Sequence, residues 1–233
     1  MAPTGRPRFA PGAALADSDA MRARAALACS AACLAALACK VREPPAIEHS
    51  YRDDYERKAL GPDYNRTGGG YRLVDGALSA KGAHNHPLWL GRRLPAGDLQ
   101  IDLDAWSNSP GGDIKLEVFG DGRSFDPDGN RYTATGYVLV FGGWSNTKSI
   151  LANRDEHGST MVSRTSPRVV PGQRYHFRIV RRGKVIDWFI DDMNQPFLRY
   201  DDPEPLSGPG HEYFAFNNWE TDTWFDNLVI RRP

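Results

Sequence analysis

Apolar and polar residues alternate one by one in several segments beyond residue 70, the signature of half-buried strands, and short apolar runs lie between them. Leu99, Ile101, Leu103 and Ala105 mark one face of a segment whose other face carries Gln100, Asp102, Asp104 and Trp106. Ile114, Leu116 and Val118 are opposed in the same way to Asp113, Lys115 and Glu117. Further runs cover Pro87 to Leu94, Tyr137 to Phe141, Ser149 to Ala152, Tyr175 to Ile179, Val185 to Ile190, Phe197 to Tyr200, His211 to Phe216 and Thr223 to Arg231. Asp75-Gly76 and Arg181-Arg-Gly183-Lys read as hairpin turns between paired runs. Pro62 to Gly70 and Gly120 to Thr135 read as loops, and Tyr51 to Leu60 as a short helix or an irregular entry. About a dozen strands with one apolar and one mixed face, and no fixed repeat, predict an all-β fold. Its two antiparallel sheets are expected to pack as a jelly-roll sandwich over residues 51–233.

Composition supports that picture: 23 Gly and 17 Pro favour turns over long helices, and six Trp supply core volume. Beyond residue 39 the chain has 25 basic and 27 acidic side chains, which gives no support to nucleic-acid binding. The three cysteines, Cys29, Cys33 and Cys39, all lie in the first 39 residues, so the domain has neither a disulfide nor thiol chemistry.

Those first residues form a leader. Met21-Arg-Ala-Arg is basic, Ala25 to Ala38 is an apolar run of fourteen, and Ala36-Leu37-Ala38 is a small-x-small cleavage site. The run is short of the roughly 20 residues that span a bilayer. Met21 is read as the start, with residues 1–39 removed or anchored and 40–50 as a Pro-stiffened tether. Cys39 at the end of the run resembles the acylated cysteine of a bacterial lipoprotein signal, although Ala36 stands where such signals prefer Leu. The resemblance implies export to the periplasm or cell surface with a lipid as the only membrane attachment. Plain secretion by cleavage after Ala38 is the alternative.

The stretch Tyr137 to Gly158 carries the densest chemistry. Gly142-Gly143 beside Trp144 imply a backbone that bends or is closely approached. Trp144 with Asn146, and Asn218 with Trp219, pair an aromatic face for the C–H side of a sugar ring with an amide for its hydroxyls. The competing reading makes these Trp ordinary core or rim residues. Arg154, Glu156 and His157 form an acid/base group if they meet in a cleft, with Glu156 or His157 as base and Arg154 as charge stabiliser. Otherwise they are a solvated turn. Asp113 and Glu117 share a strand face about 13 Å apart, beyond the ~5–9.5 Å of working glycosidase carboxylates. Lys115 between them suggests a charge ladder, whose carboxylates remain available to bind hydroxyls. Asp126, Asp128 and Asn130 have the alternating oxygens of a short calcium loop, but Tyr137 stands where an EF-hand wants Glu. Calcium is the one cofactor left open. His84 and His86 have the spacing of a metal pair without a third ligand.

The opening GYRLVDGALSAKG, the central GYVLVFGGW, the hairpin RYHFRIVRRGKVIDWFIDD and the closing FAFNNWETDTWFDNLVIRR resemble the concanavalin A-like lectin/glucanase superfamily, in the style of its laminin-G-like and keto-disaccharide hydrolase-like members. In that group a strand pair, here Arg174 to Asp191, precedes a closing strand ending in an aromatic-Asp-Asn-apolar pattern, here Phe225-Asp226-Asn227-Leu228. The resemblance implies the sandwich and a carbohydrate partner held on its concave face. It leaves open a binding module, a glycan hydrolase or lyase, and a structural surface protein. The Glu-x-Asp-x-x-Glu strand motif of the glucanases is absent; Asp113-Ile-Lys-Leu-Glu117 lacks one carboxylate.

Overall fold

In chain order the strands are β1 (Ser50–Asp53), β2 (Tyr64–Arg66), β3 (Arg72–Val74), β4 (Ala77–Ser79) and β5 (Leu88–Leu90). They continue with β6 (Leu99–Ser107), β7 (Ile114–Gly120), β8 (Tyr137–Gly142), β9 (Lys148–Asn153) and β10 (Met161–Arg164). The last five are β11 (Tyr175–Arg182), β12 (Val185–Ile190), β13 (Leu198–Asp201), β14 (Tyr213–Asn217) and β15 (Thr223–Arg231). The structure, a computed structural model, describes residues 43–128 and 132–233. The leader, Cys39 and Asn130 lie outside the described residues.

One sheet has the order β13-β12-β11-β6-β15-β4-β3, with β1 added on β15; the other is β10-β9-β8-β7-β14-β5-β2. The strands pair antiparallel throughout. Successive strands β6 and β7, β10 and β11, and β14 and β15 lie in opposite sheets. This crossing between two layers is the jelly-roll sandwich that the alternation implied.

The period of two sets what each sheet buries. Leu116, Val118, Leu139, Phe141, Leu151, Phe214 and Phe216 point into the core against Leu103, Phe177, Trp188 and Phe225 of the opposite sheet. Phe141 meets Tyr175, Phe177, Trp188 and Phe197 edge-on, with centroids 5.0 to 6.5 Å apart. The outward positions of β8 and β9, Val138, Val140, Ile150 and Ala152, form a second apolar cluster with Ala134, beside Tyr132 and Met161. The outer face of the seven-stranded sheet is therefore partly roofed, and polar side chains on it are buried.

Three boundaries differ from the sequence reading. Residues 44–50, read as tether, dock on the domain: Ile47 is buried, and Ala46 bridges Arg93. The compact unit accordingly begins at Pro44. Tyr51 to Asp53 belong to a strand and the stretch from there to Leu60 is irregular, with no helix, while β2 lies inside the stretch read as loop. Segments β2 and β10 are three- and four-residue edge strands, too short for alternation to register. The Asp75-Gly76 hairpin is present between β3 and β4, with both residues at positive φ of 50° and 75°.

The aromatic hub yields a direct expectation. Phe141→Ala lowers unfolding stability by about 3–5 kcal/mol in equilibrium urea denaturation, as for a large core residue that leaves a cavity. A loss below ~1 kcal/mol would show that Phe141 does not join the two sheets.

Candidate functional site

A cleft of about 470 Å³ opens on the outer face of the seven-stranded sheet, at the end where β7 begins and β8 ends. Asp113 and Lys115 with Val140 form its floor; Trp144, Glu156, His157 and Trp219 are among its walls.

The walls are held by an unusual backbone. Gly142 sits at φ 70°, and Trp144, Ser145 and Asn146 follow Gly143 at 50°, 57° and 63°, a left-handed turn built from side-chain-bearing residues. Gly112 and Asp113 are also left-handed, at 68° and 57°. A Cβ on Gly112 would lie 2.5 Å from the Gly142 carbonyl oxygen, so the two loops come together only over glycine. Asn146 fixes the turn: its Nδ2 donates to the Val169 and Pro110 carbonyls at 2.7 and 3.1 Å, and its Oδ1 accepts the Val169 N–H at 2.9 Å. Trp144 is thereby left 39% exposed, edge-on to His157 and with the Lys148 ammonium 5.1 Å from its ring centre.

Across the cleft, Asn218 is fully buried and its amide donates to the Ala80 and Thr221 carbonyls. Trp219 donates its backbone N–H to Asp113 Oδ2 at 3.0 Å, and His84 stacks on its ring at 4.1 Å.

Electrostatics centre on Lys115. Its side chain is 4% exposed, and its ammonium donates to Asn85 Oδ1 at 3.1 Å and reaches both Glu156 oxygens, at 3.1 and 2.9 Å. Burial alone would push the ammonium down, but Glu156 and Asp113 outweigh it and hold the lysine above its ordinary value. Burial raises the Asp113 carboxyl above the ordinary aspartate range; Lys115 and the Trp219 N–H oppose this without reversing it. His157 Nε2 lies 3.6 Å from Glu156 Oε1.

Of the residues singled out in the sequence, the fold brings Asp113, Trp144, Glu156, His157 and Trp219 to this cleft. It does not bring Arg154, whose guanidinium is exposed, 3.4 Å from His211 Nε2. The Asn146 amide is spent on backbone groups, and that of Asn218 on two backbone carbonyls and the Thr221 hydroxyl. Glu117 is sealed away, accepting bonds from the Tyr132 hydroxyl, the Thr135 N–H and hydroxyl, and the Gly136 N–H. Asp126 accepts the Asp128 N–H in a local turn, and among the described residues no three His, Cys, Asp or Glu side chains are grouped to hold a metal. Sequence reasoning passed over Asn85, and it read Lys115 as a rung of a charge ladder and His84 as half of a metal pair rather than as the cation of the cleft floor and the support of Trp219. The one available signal was a lysine on the outward phase of the strand, between Asp113 and Glu117.

Several solved structures share this architecture. A carbohydrate-binding module, CBM66 from Bacillus subtilis, is 12% identical with a TM-score of 0.55, covering 74% of this chain and 98% of that one. The Emp47p carbohydrate recognition domain is 13% identical at 0.53, covering 79% and 95%. A structure described as a native glycosidic hydrolase is 10% identical at 0.54, covering 81% and 97%. The fold is that of the concanavalin A-like jelly rolls. A family described as farnesoic acid 0-methyl transferase matches residues 124–227, less than half of the chain. No curated protein sequence gives a significant match.

The raised Asp113 carboxyl has a consequence for stability. Between the ordinary aspartate value and the raised folded one, the folded chain keeps a proton that the unfolded chain releases, so stability falls as pH climbs through that window. Asparagine keeps an acceptor for the Trp219 N–H and carries no such cost. Asp113→Asn therefore melts above the wild type near pH 7, and the gap closes below about pH 4 in thermal scans. A variant less stable at neutral pH would contradict the assigned direction.

Proposed function

We propose that the cleft binds a carbohydrate ring between Trp144 and Trp219. The observation that carries this reading is the meeting of two aromatic walls with carboxylate oxygens in one cleft. Indole faces take the C–H side of a pyranose or furanose, and carboxylates accept its hydroxyl protons. The likeness to a carbohydrate-binding module and a carbohydrate recognition domain supports the same ligand class. Lys115, already neutralised, acts through Glu156 rather than as a free cation, and Arg154 has no part in the site.

On a glycan array followed by calorimetry, Trp144→Ala weakens binding to the preferred sugar at least about tenfold, the loss of ~1.4 kcal/mol of stacking. Unchanged affinity, or no glycan binding by the folded wild type, refutes the reading.

The leader supports a second element of the proposal: the domain is exported and held at a membrane surface by acylated Cys39. In bacterial cells the wild-type chain fractionates with membranes and Cys39→Ser appears in the soluble exported fraction. Identical fractionation of the two would exclude the lipid anchor in favour of plain secretion.

A further inference from the structure

We propose that the cleft selects a sugar bearing a protonated amino group, the ammonium seated between Asp113 Oδ1 and the Trp219 ring, and turns away sugars bearing a carboxylate. The proposal rests on the carbohydrate reading above and adds the charge of the ligand to it.

Three carboxylates, those of Asp113, Glu156 and Glu220, line the cleft against one ammonium, that of Lys115. The ammonium has three N–H bonds to give, and three acceptors surround it: Asn85 Oδ1 at 3.1 Å and the two Glu156 oxygens at 3.1 and 2.9 Å. It therefore has no donor left for an anionic ligand, and the anion it neutralises is Glu156. His157 also turns toward Glu156, with Nε2 3.6 Å from Oε1. Glu220 stands at the rim with its side chain 64% exposed, where water and salt screen its charge. The uncompensated charge inside the cleft is that of Asp113.

Asp113 carries more than its place in the fold needs. Its Oδ2 accepts the Trp219 N–H at 3.0 Å, a bond that an asparagine oxygen would accept as well. Its Oδ1 accepts no hydrogen bond among the described residues. The chain nevertheless holds Asp113 at a φ of 57°, a left-handed conformation that side-chain-bearing residues rarely adopt and that collects where side chains must be aimed. A carboxylate oxygen with no donor of its own, aimed into a cleft beside an aromatic wall, suits a cation.

The two indoles divide the ligand between them. Lys148 already places an ammonium 5.1 Å from the Trp144 ring centre, with its Nζ 3.1 Å from Met161 Sδ. A second cation on that ring would be repelled, so Trp144 takes the C–H face of the sugar. Trp219 has His84 stacked on it at 4.1 Å, and among the described residues no lysine or arginine lies over its ring. Beside Asp113, a ligand ammonium gains a cation–π contact with Trp219 and a charge-assisted hydrogen bond to Oδ1 together. A carboxylate in the same position meets Asp113 as a like charge.

The test uses the full chain and calorimetry at about pH 7, where a primary amine is mainly charged. The probes are methyl glycosides of the gluco, galacto and manno series, each as the 2-amino, 2-acetamido, 2-hydroxy and 6-carboxylate form. In at least one series the amino form should bind at least about tenfold tighter than the acetamido and hydroxy forms, with the carboxylate form weakest. Asp113→Asn, which keeps the acceptor for the Trp219 N–H, should reduce that ratio to about threefold or less. Where the variant does not fold, the wild-type panel decides alone. An acetamido, hydroxy or carboxylate form that binds as tightly as the amino form, or an amine preference unchanged in folded Asp113→Asn, overturns this proposal and leaves the carbohydrate site standing. Failure of every form to bind overturns both.

Discussion

A buried ammonium must be neutralised, and the cleft is built around doing so. The alternation of β7 turns Lys115 outward, where Val140 and Asn217 lie across from it on the neighbouring strands. At 4% exposure an unpaired charge there would cost about 3–5 kcal/mol. Glu156 answers from the loop after β9, and Asn85 from the loop before β5. Bringing those two loops over the sheet carries His157 with one and His84 with the other, and His84 stacks on Trp219. The wall of the cleft follows from satisfying one side chain on its floor.

The same economy explains why the cleft is rigid. The amides that looked suited to sugar hydroxyls, Asn146 and Asn218, are used instead on backbone carbonyls, the Val169 N–H and the Thr221 hydroxyl. They hold the left-handed turn under Trp144 and the loop under Trp219, so both indoles are set before any ligand arrives. Ordering costs on binding fall accordingly. The strained conformations at Asp113 and Trp144 persist because these contacts over-determine them.

Much of the sandwich was legible. Long alternating runs such as Leu99–Ser107 and Thr223–Arg231 specify both the strand and its inward face. Gly142 marked a real close approach of two loops. Of the site, an aromatic and a carboxylate beside a glycine bend were enough to point to Trp144 and Glu156. Other roles stayed hidden for physical reasons. An asparagine looks alike in sequence whether its amide faces solvent or a carbonyl. Asp113-Ile-Lys-Leu-Glu117 reads as a charge ladder because one-dimensional spacing does not show that a loop from residues 132–136 closes over Glu117 while Asp113 stays in the cleft. Arg154 sits near Glu156 in sequence, yet its side chain turns toward His211, so the cation that matters comes from 41 residues earlier, on another strand.

The six tryptophans allow a direct test of where a sugar sits. Trp144 and Trp219 line the cleft, Trp89 and Trp188 are fully buried, and Trp106 and Trp224 stack on the outer face of the other sheet. Two-dimensional NMR of the indole N–H groups during titration with a bound oligosaccharide separates these three pairs. The account predicts that the Trp144 and Trp219 resonances move together while the other four stay in place. Movement confined to Trp106 and Trp224, with the cleft pair unchanged, would contradict it.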